Sequence, residues 1–260
     1  MQPCSFTVYC KKETADTRIP DRLISALTDA GFLQDNEDPY ITFVFGGDGA
    51  FLYTMAERGF SGNFLLVNSG HLGFFSDYGI GEVDRLVEDI VESELRLENV
   101  PLLEISASGE RYYAAGDISL HSNRTSLFTL YVNNEEFTSS RASGIVVGNR
   151  LGSTGFLASL GAPAILSSDD VYEYVFNAPV RNRLYPSTVE KGILSSKDRL
   201  EIEMEEDEGL LLYVDGRKKD LDSNTIGIRL IPKTKCCIAH FDEKENIARI
   251  KRQMTVKEEN

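Results

Sequence analysis

The sequence predicts an α/β N-terminal domain, built as a parallel sheet with flanking helices, followed by a β-rich C-terminal domain. Three observations carry this. Before residue 100, continuous apolar runs such as Ile41–Phe45 (ITFVF) and Phe64–Asn68 (FLLVN) alternate with helical periodicity, as expected of strands covered on both faces by helices. After Leu102 the chain breaks into short alternating segments separated by turn dipeptides, among them Ser108-Gly109 and Asn133-Asn134, which predicts hairpins. Between Ile41 and Arg58 a strand stops at Gly46-Gly47-Asp48-Gly49 and restarts as a helix.

In order, Ser5–Tyr9 reads as a first strand. Asp21–Ala30 carries apolar residues at helical spacing and stops at Gly31. The strand Ile41–Phe45, the glycine turn with its helix, and the strand Phe64–Asn68 follow. Next come the glycine-punctuated loop Asn68–Phe75 (NSGHLGFF) and an amphipathic helix over Glu82–Val91. Glu94–Pro101 reads as the passage to the second domain. There, strands are predicted at Leu103–Ala107, Arg111–Ala115, Leu127–Val132, Gly144–Val147, Arg199–Met204, Leu210–Val214 and Ile226–Ile231. A helix is predicted from Thr154 to about Leu160, after a second glycine turn. The division is 1–100 for the α/β domain and 101–238 for the β-rich domain, with 239–260 as a tail. Its segment Asn246–Met254 has an amphipathic pattern and is expected to return to the first domain.

A glycine turn between a strand and a helix leaves backbone N–H groups at the positive end of the helix dipole. Without Cβ atoms, the backbone can come close to a phosphate there. A carboxylate is a poor phosphate ligand, so Asp48 has a different role, either accepting a proton from an attacking hydroxyl or holding Mg²⁺ beside the phosphates. Asp48 and Asn68 both fall at the carboxyl ends of strands, where ligands of such sheets sit. The rings of Phe74 and Phe75 either stack on a base or plug the space beneath their loop.

Composition narrows the partners. The chain has 260 residues, and 41 acidic against 27 basic side chains give a net charge of −14, which opposes binding to nucleic acid or to anionic membranes. The acidic run Glu201–Glu208 and the pair Glu258-Glu259 read as solvated faces or tails. Cys4, Cys10, Cys236 and Cys237 lack a zinc spacing and only three histidines are present, so no protein metal site is predicted. Reduced thiols in a cytoplasmic protein are the expectation, with a Cys4–Cys10 disulfide as the alternative. No apolar stretch is long enough for a membrane span.

Taken together, GGDG at 46–49, NSGHLGFF at 68–75, GSTGF at 152–156 and Tyr213-Val214-Asp215-Gly216 make the sequence resemble the NAD kinase family. Its members transfer a phosphoryl group from ATP or polyphosphate to the adenosine ribose 2′-hydroxyl of NAD. The resemblance covers about residues 41–240 and implies an NAD kinase-like fold. It implies that Asp48 activates the ribose hydroxyl, that Gly46, Gly47 and Gly49 form the loop around it, and that Phe74 lies beside the adenylate with Asn68 in the same loop. It further implies that Thr154, Gly155, Phe156 and Ser159 line the adenine end, and that Arg141 lies near the dinucleotide. ATP with Mg²⁺ or another divalent cation, NAD as substrate, and a homodimer or homotetramer are also implied.

Three positions depart from the family pattern. Ala50 stands where a threonine is usual, Gly116-Asp117 where the family has Asn-Glu, and Ala142-Ser143-Gly144 where it has Gly-Asp-Gly. The last two touch dinucleotide recognition. Asp117 holds the ribose or adenine despite its shorter reach, or is an ordinary turn carboxylate. Two other functions stay open on this account: a kinase of the same fold with a different hydroxyl acceptor, and a non-catalytic adenine-nucleotide sensor.

Overall fold

The computed structural model describes residues 5–10, 18–70, 73–107, 109–167, 169–185, 189–205, 209–241 and 251. Cys4, His71, Leu72 and Glu206–Glu208 lie outside these, as does the segment 246–254 apart from Lys251. The chain divides into two compact units: Met1–Val100 with Thr234–Asn260, and Pro101–Lys233.

The first unit runs β1 (Ser5–Cys10), α1 (Arg18–Asp29), β2 (Leu33–Gln34), β3 (Ile41–Gly46), α2 (Asp48–Glu57), β4 (Gly62–Asn68), β5 (Tyr78–Gly79), α3 (Val83–Glu92) and β6 (Arg96–Asn99). Its last strand, β17 (Cys236–His240), comes after the whole second unit. The sheet order is β2-β1-β3-β4-β17-β6, with β5 paired to the end of β4. All pairs are parallel except β17 with β6. Every residue of β3 is buried, as its unbroken apolar run requires. Helices α1 and α3 bury Leu23 and Leu27, and Val83, Leu86 and Ile90, at the spacing of one helical face.

Two segments differ from the sequence reading. Glu94–Pro101 contains a strand, β6, in place of a plain connection, and β17 extends the first sheet where the β-rich region was expected to run on to 238. Both are short, and neither shows an alternation that distinguishes it from an edge segment. What fixes β17 is long-range. His240, fully buried, sets Nδ1 2.5 Å from Asp77 Oδ2 and Nε2 3.0 Å from Glu98 Oε2, so one ring ties β17 to β6 and to the segment entering β5.

The second unit runs β7 (Leu102–Ala107), β8 (Glu110–Ala114), β9 (Asp117–Val132), β10 (Glu135–Asn149), a 3₁₀ turn at Gly152–Thr154, α4 (Phe156–Ser159), β11 (Val171–Asn177), β12 (Lys191–Ser195), β13 (Arg199–Met204), β14 (Leu211–Val214), β15 (Arg217–Lys219) and β16 (Thr225–Ile231). They form one antiparallel sheet of order β12-β11-β10-β9-β13-β16-β7-β8, with β14 and β15 branching from β9. One face encloses a core that includes Ile105, Leu120, Phe128, Val147, Tyr174, Ile202 and Ile228. In β13, Leu200, Ile202 and Met204 are buried while Glu201 and Glu203 face outward, so the described part of the acidic run is the solvent side of a strand. Asn133 and Asn134 both take positive φ, 53° and 69°, and close the β9–β10 hairpin as a tight two-residue turn.

Replacing His240 by leucine leaves the Asp77 carboxylate, 3% exposed, without its ring partner. We expect a loss of about 3 kcal/mol or more in urea unfolding, the scale for breaking a buried charged pair, whereas Cys237→Ser should cost far less.

Candidate active site

In the first unit the glycine turn is the junction of β3 and α2. Gly46 ends the strand, Gly47 precedes the helix, and Asp48 and Gly49 are its first two residues. Gly47 offers no side-chain cap, so the first-turn amides of α2 have no side-chain partner there. Gly46 has a packing reason to lack a side chain, because a Cβ there would fall 2.6 Å from the Ala50 Cβ. Ala50, the first departure from the family pattern, thus packs on the turn itself.

Asp48 points back over the turn. Its Oδ2 accepts the Phe74 N–H at 3.0 Å and its Oδ1 the Phe75 N–H at 3.4 Å. Burial pushes the Asp48 carboxyl above its ordinary value, and these two amide bonds oppose the rise. The loop that delivers the amides is anchored at Asn68, whose Oδ1 accepts the Gly70 N–H at 3.0 Å. Gly73 is pressed against the same side chain, since a Cβ there would lie 2.8 Å from Asn68 Cγ. The Phe75 ring packs against Phe51 of α2, with centroids 6.1 Å apart. Phe74 is half-buried. The structure therefore brings Gly46, Gly47, Asp48, Gly49, Asn68 and Phe74 together.

In the second unit a different carboxylate organises the cluster. Asp215 and Gly216 take positive φ, 46° and 71°, and form the tight turn between β14 and β15. From that turn Asp215 accepts N–H bonds from Ala115, Gly116 and Asp117 at 2.8, 2.8 and 3.2 Å. Asn149, fully buried, completes the grip: its Nδ2 donates to the carbonyls of Pro101 and Ala115, and its Oδ1 accepts the Leu151 N–H. Gly152 lies so close to Gly116 that a Cβ would sit 2.4 Å from the Gly116 oxygen. Gly116, Asp117 and the Gly152–Ser159 segment are thus one packed group. Phe156 extends it, stacking on His121 at 5.9 Å, and His121 meets Tyr213 edge-on at 5.7 Å.

Asp117 is perturbed as well. Burial, and then the neighbouring Asp215, push its carboxyl up to about 7. Asp215 is also raised by burial, but its three amide donors favour the ionised form. Both carboxyls of the pair are thus raised, but only that of Asp215 is drawn back by amide donors. Thr154 is half-buried, whereas Gly155, Phe156 and Ser159 are exposed and Ser159 Oγ donates to the Phe156 carbonyl at 2.7 Å.

Arg141 and Ser143 stand apart from this group on the register. Gly148 pairs with Asp117, while Arg141 lies seven residues back along β10, opposite Leu127. The Arg141 guanidinium bonds Glu205 Oε2 at 2.8 Å and the Thr125 carbonyl at 3.0 Å, and stacks over Tyr185. Ser143 sits at a register break, and its neighbour Gly144 approaches so near the Leu120 carbonyl that a Cβ would be 2.3 Å from it. The sequence reading did not single out Asn149, His121 or the role of Asp215. Only Asp215 carried a local signal, the Asp-Gly pair between two strands.

No family model matches the sequence. NAD kinase 1 of Bacillus cereus is 28% identical over 194 residues, covering 69% of this chain and 72% of that protein. NAD kinase 1 of Oceanobacillus iheyensis is 25% identical over 258 residues, covering 95% and 93%. Among solved structures, an NAD kinase from Archaeoglobus fulgidus in complex with ATP superimposes with a TM-score of 0.78 at 18% identity, covering 96% of this chain and 98% of that one. Yeast NADH kinase complexed with NADH gives 0.81 at 17%, covering 99% and 89%. A parallel α/β unit with a Gly-Gly-Asp-Gly turn, joined to an antiparallel β-rich unit, is the architecture of the NAD kinase-like fold. Over most of its length the chain is similar to NAD kinases.

The Asp117 carboxyl sets a pH dependence. Between its ordinary value of 3.8 and about 7 the folded chain keeps a proton that the unfolded chain has lost, so its contribution to stability falls as pH rises. Asp117→Asn cannot ionise. Measured by urea unfolding at a series of pH values, the variant should gain on the wild type steadily from about pH 4 to about pH 7 and level off above.

Proposed function

We propose that this chain is an NAD kinase that transfers the γ-phosphoryl group of ATP to the 2′-hydroxyl of the adenosine ribose of NAD, giving NADP and ADP. The observation that carries the reading is Asp48, placed at the start of α2 and held by the Phe74 and Phe75 amides. A carboxylate fixed by two donors on one side keeps its remaining lone pairs for a hydroxyl proton. As the ribose oxygen bonds to phosphorus and the bond to the leaving ADP oxygen breaks, Asp48 takes the proton. The uncapped amides of the turn face the phosphate charge, and catalysis comes from positioning and charge stabilisation.

In the second unit, Asp117 as a neutral acid is a donor as well as an acceptor. It is proposed to hold the adenylate, with Thr154, Gly155, Phe156 and Ser159 at the adenine end; in the first unit Phe74 is proposed as an adenylate contact. Gly116 contributes its backbone. Arg141 and Ser143 are assigned to the far end of the dinucleotide, where the pairing of Arg141 with Glu205 must open before the guanidinium can meet a ligand.

Among the described residues no three of His, Cys, Asp and Glu come together as a metal-binding group. Mg²⁺ or another divalent cation would neutralise the ATP phosphates, held chiefly by phosphate oxygens with Asp48 as the one carboxylate at the turn. No helix among the described residues is long and apolar enough to cross a membrane. A cytoplasmic homodimer or homotetramer completes the reading.

One observation favours a second acceptor. Gly116 and Ser143 lack the amide and carboxylate that the family pattern places there, so a smaller adenylate would leave fewer recognition groups unpaired.

The test is ATP- and Mg²⁺-dependent formation of NADP from NAD by the purified chain, with Asp48→Asn alongside. Turnover should fall about a hundredfold or more, the scale for losing a general base, while NAD binding by calorimetry persists. Undiminished turnover in the variant would remove Asp48 from the chemistry. Faster turnover of another adenylate than of NAD would favour the second acceptor.

A further inference from the structure

We propose that the outer face of the second unit's sheet holds a binding site for a small anion bearing two or more phosphoryl-type charges, formed by Arg111, Arg199, Arg229 and Lys197. The site is made of strands that do not carry the Asp117 cluster, and it does not depend on the proposed activity.

Strand register builds it. Arg199 of β13 lies directly opposite Arg229 of β16, which lies opposite Glu104 of β7. One row along the same face, Gly227 lies opposite Ser106, and Ser106 opposite Arg111 of β8. The residues between, Leu200, Ile228 and Ile105, turn inward to the core. Gly227 opens the floor of the site: a Cβ there would fall 2.7 Å from Ser106 Oγ and 2.9 Å from Arg199 Nη2. The result is a cavity of about 500 Å³ lined by these residues with Ser196, Lys197 and Asp198.

Its charge is unbalanced. Two carboxylates face four cations, and both are committed. Glu104 accepts Arg229 Nε at 2.8 Å, and Asp198 accepts the Asn133 amide at 2.8 Å and the Ser195 N–H at 3.1 Å. Glu201, opposite Gly227, is outside the lining. Lys197 and Arg199 form no ion pair among the described residues, and all four basic side chains are exposed. Like charges directly opposite in an antiparallel pair destabilise it, so the Arg199–Arg229 juxtaposition costs stability unless an anion lies between them. In a chain of net charge −14 this excess of two positive charges is local and specific. Guanidinium groups match phosphoryl oxygens with paired N–H donors, and the two serine hydroxyls supplement them. Ile228 is the single apolar residue of the lining and belongs to the core, so the ligand has little apolar body.

Inorganic pyrophosphate is the probe, titrated into the full chain and followed by NMR at the Ser106 and Gly227 amides and the arginine Nε–H groups. These resonances distinguish the site from the glycine turn, where pyrophosphate also has donors. Saturable shifts at these positions are expected. Arg111→Ala and Arg199→Ala should each weaken them about tenfold, as for loss of a charge-assisted hydrogen bond, and Gly227→Val should abolish them by filling the floor. Without the anion, Arg199→Ala should unfold at the same temperature as the wild type or higher, because a repulsion is relieved. Its melting temperature should respond less to pyrophosphate than that of the wild type. Linear shifts, or affinities unchanged in the two alanine variants, would overturn the site. So would dissociation of an oligomer by Arg199→Glu with no saturable shift in the wild type, which would assign the cations to contact between copies.

Discussion

A buried backbone N–H without a partner is costly, and this chain meets that demand at its two key turns with carboxylates. Asp48 accepts the amides of Phe74 and Phe75, and Asp215 those of Ala115, Gly116 and Asp117. Both sets of bonds join segments distant in sequence, by about 26 and 100 positions. Each therefore does two things: it closes a loop that the local sequence would leave open, and it sets the direction of a side chain at the site. Glycines are fitted tightly beside both: a Cβ at Gly73 would strike the Asn68 and Ser76 side chains of its own loop, and one at Gly152 the Gly116 carbonyl.

Electrostatics separates three aspartates that composition cannot distinguish. Asp48 and Asp215 are raised by burial and drawn back by amide donors, whereas Asp117 has only burial and a like charge, and both push it the same way. Asp215 is thus structural in its bonds and electrostatic in its effect. It holds the backbone of 115–117 and raises the carboxyl of its neighbour Asp117. Removing the Asp215 side chain would release the backbone of 115–117 and lessen the rise at Asp117, so the geometry and electrostatics of this cluster are coupled.

Much of this was legible in the sequence where a pattern was local. The apolar run of β3, the glycine turn and the amphipathic faces of α1 and α3 are each written in fewer than twenty consecutive residues, and they specified the α/β unit. The Asn133-Asn134 hairpin was legible for the same reason. What escaped depended on partners far away. Strand β17 is identified by its pairing with β4 and β6 and by His240 between two carboxylates, none of which its five residues reveal. Asn149 shows no local sign of its four-way role, and the basic face of β13, β16 and β8 emerges only when register sets Arg199, Arg229 and Arg111 in adjacent rows. The acidic run was legible in kind: its alternation with Ile202 and Met204 marks the outer side of a strand.

The departures from the family pattern have a physical order of severity. Ala50 packs on the turn at Gly46, where a Cβ would fall 2.6 Å from its own, so the alanine is part of the turn's packing. At Gly116 the backbone is engaged at both ends, its N–H by Asp215 and its carbonyl by Asn149, so a residue without a side chain leaves this cradle intact. At Asp117 burial and the neighbouring Asp215 raise the carboxyl. A buried, protonated Asp117 offers a donor where an ionised group offers only acceptors.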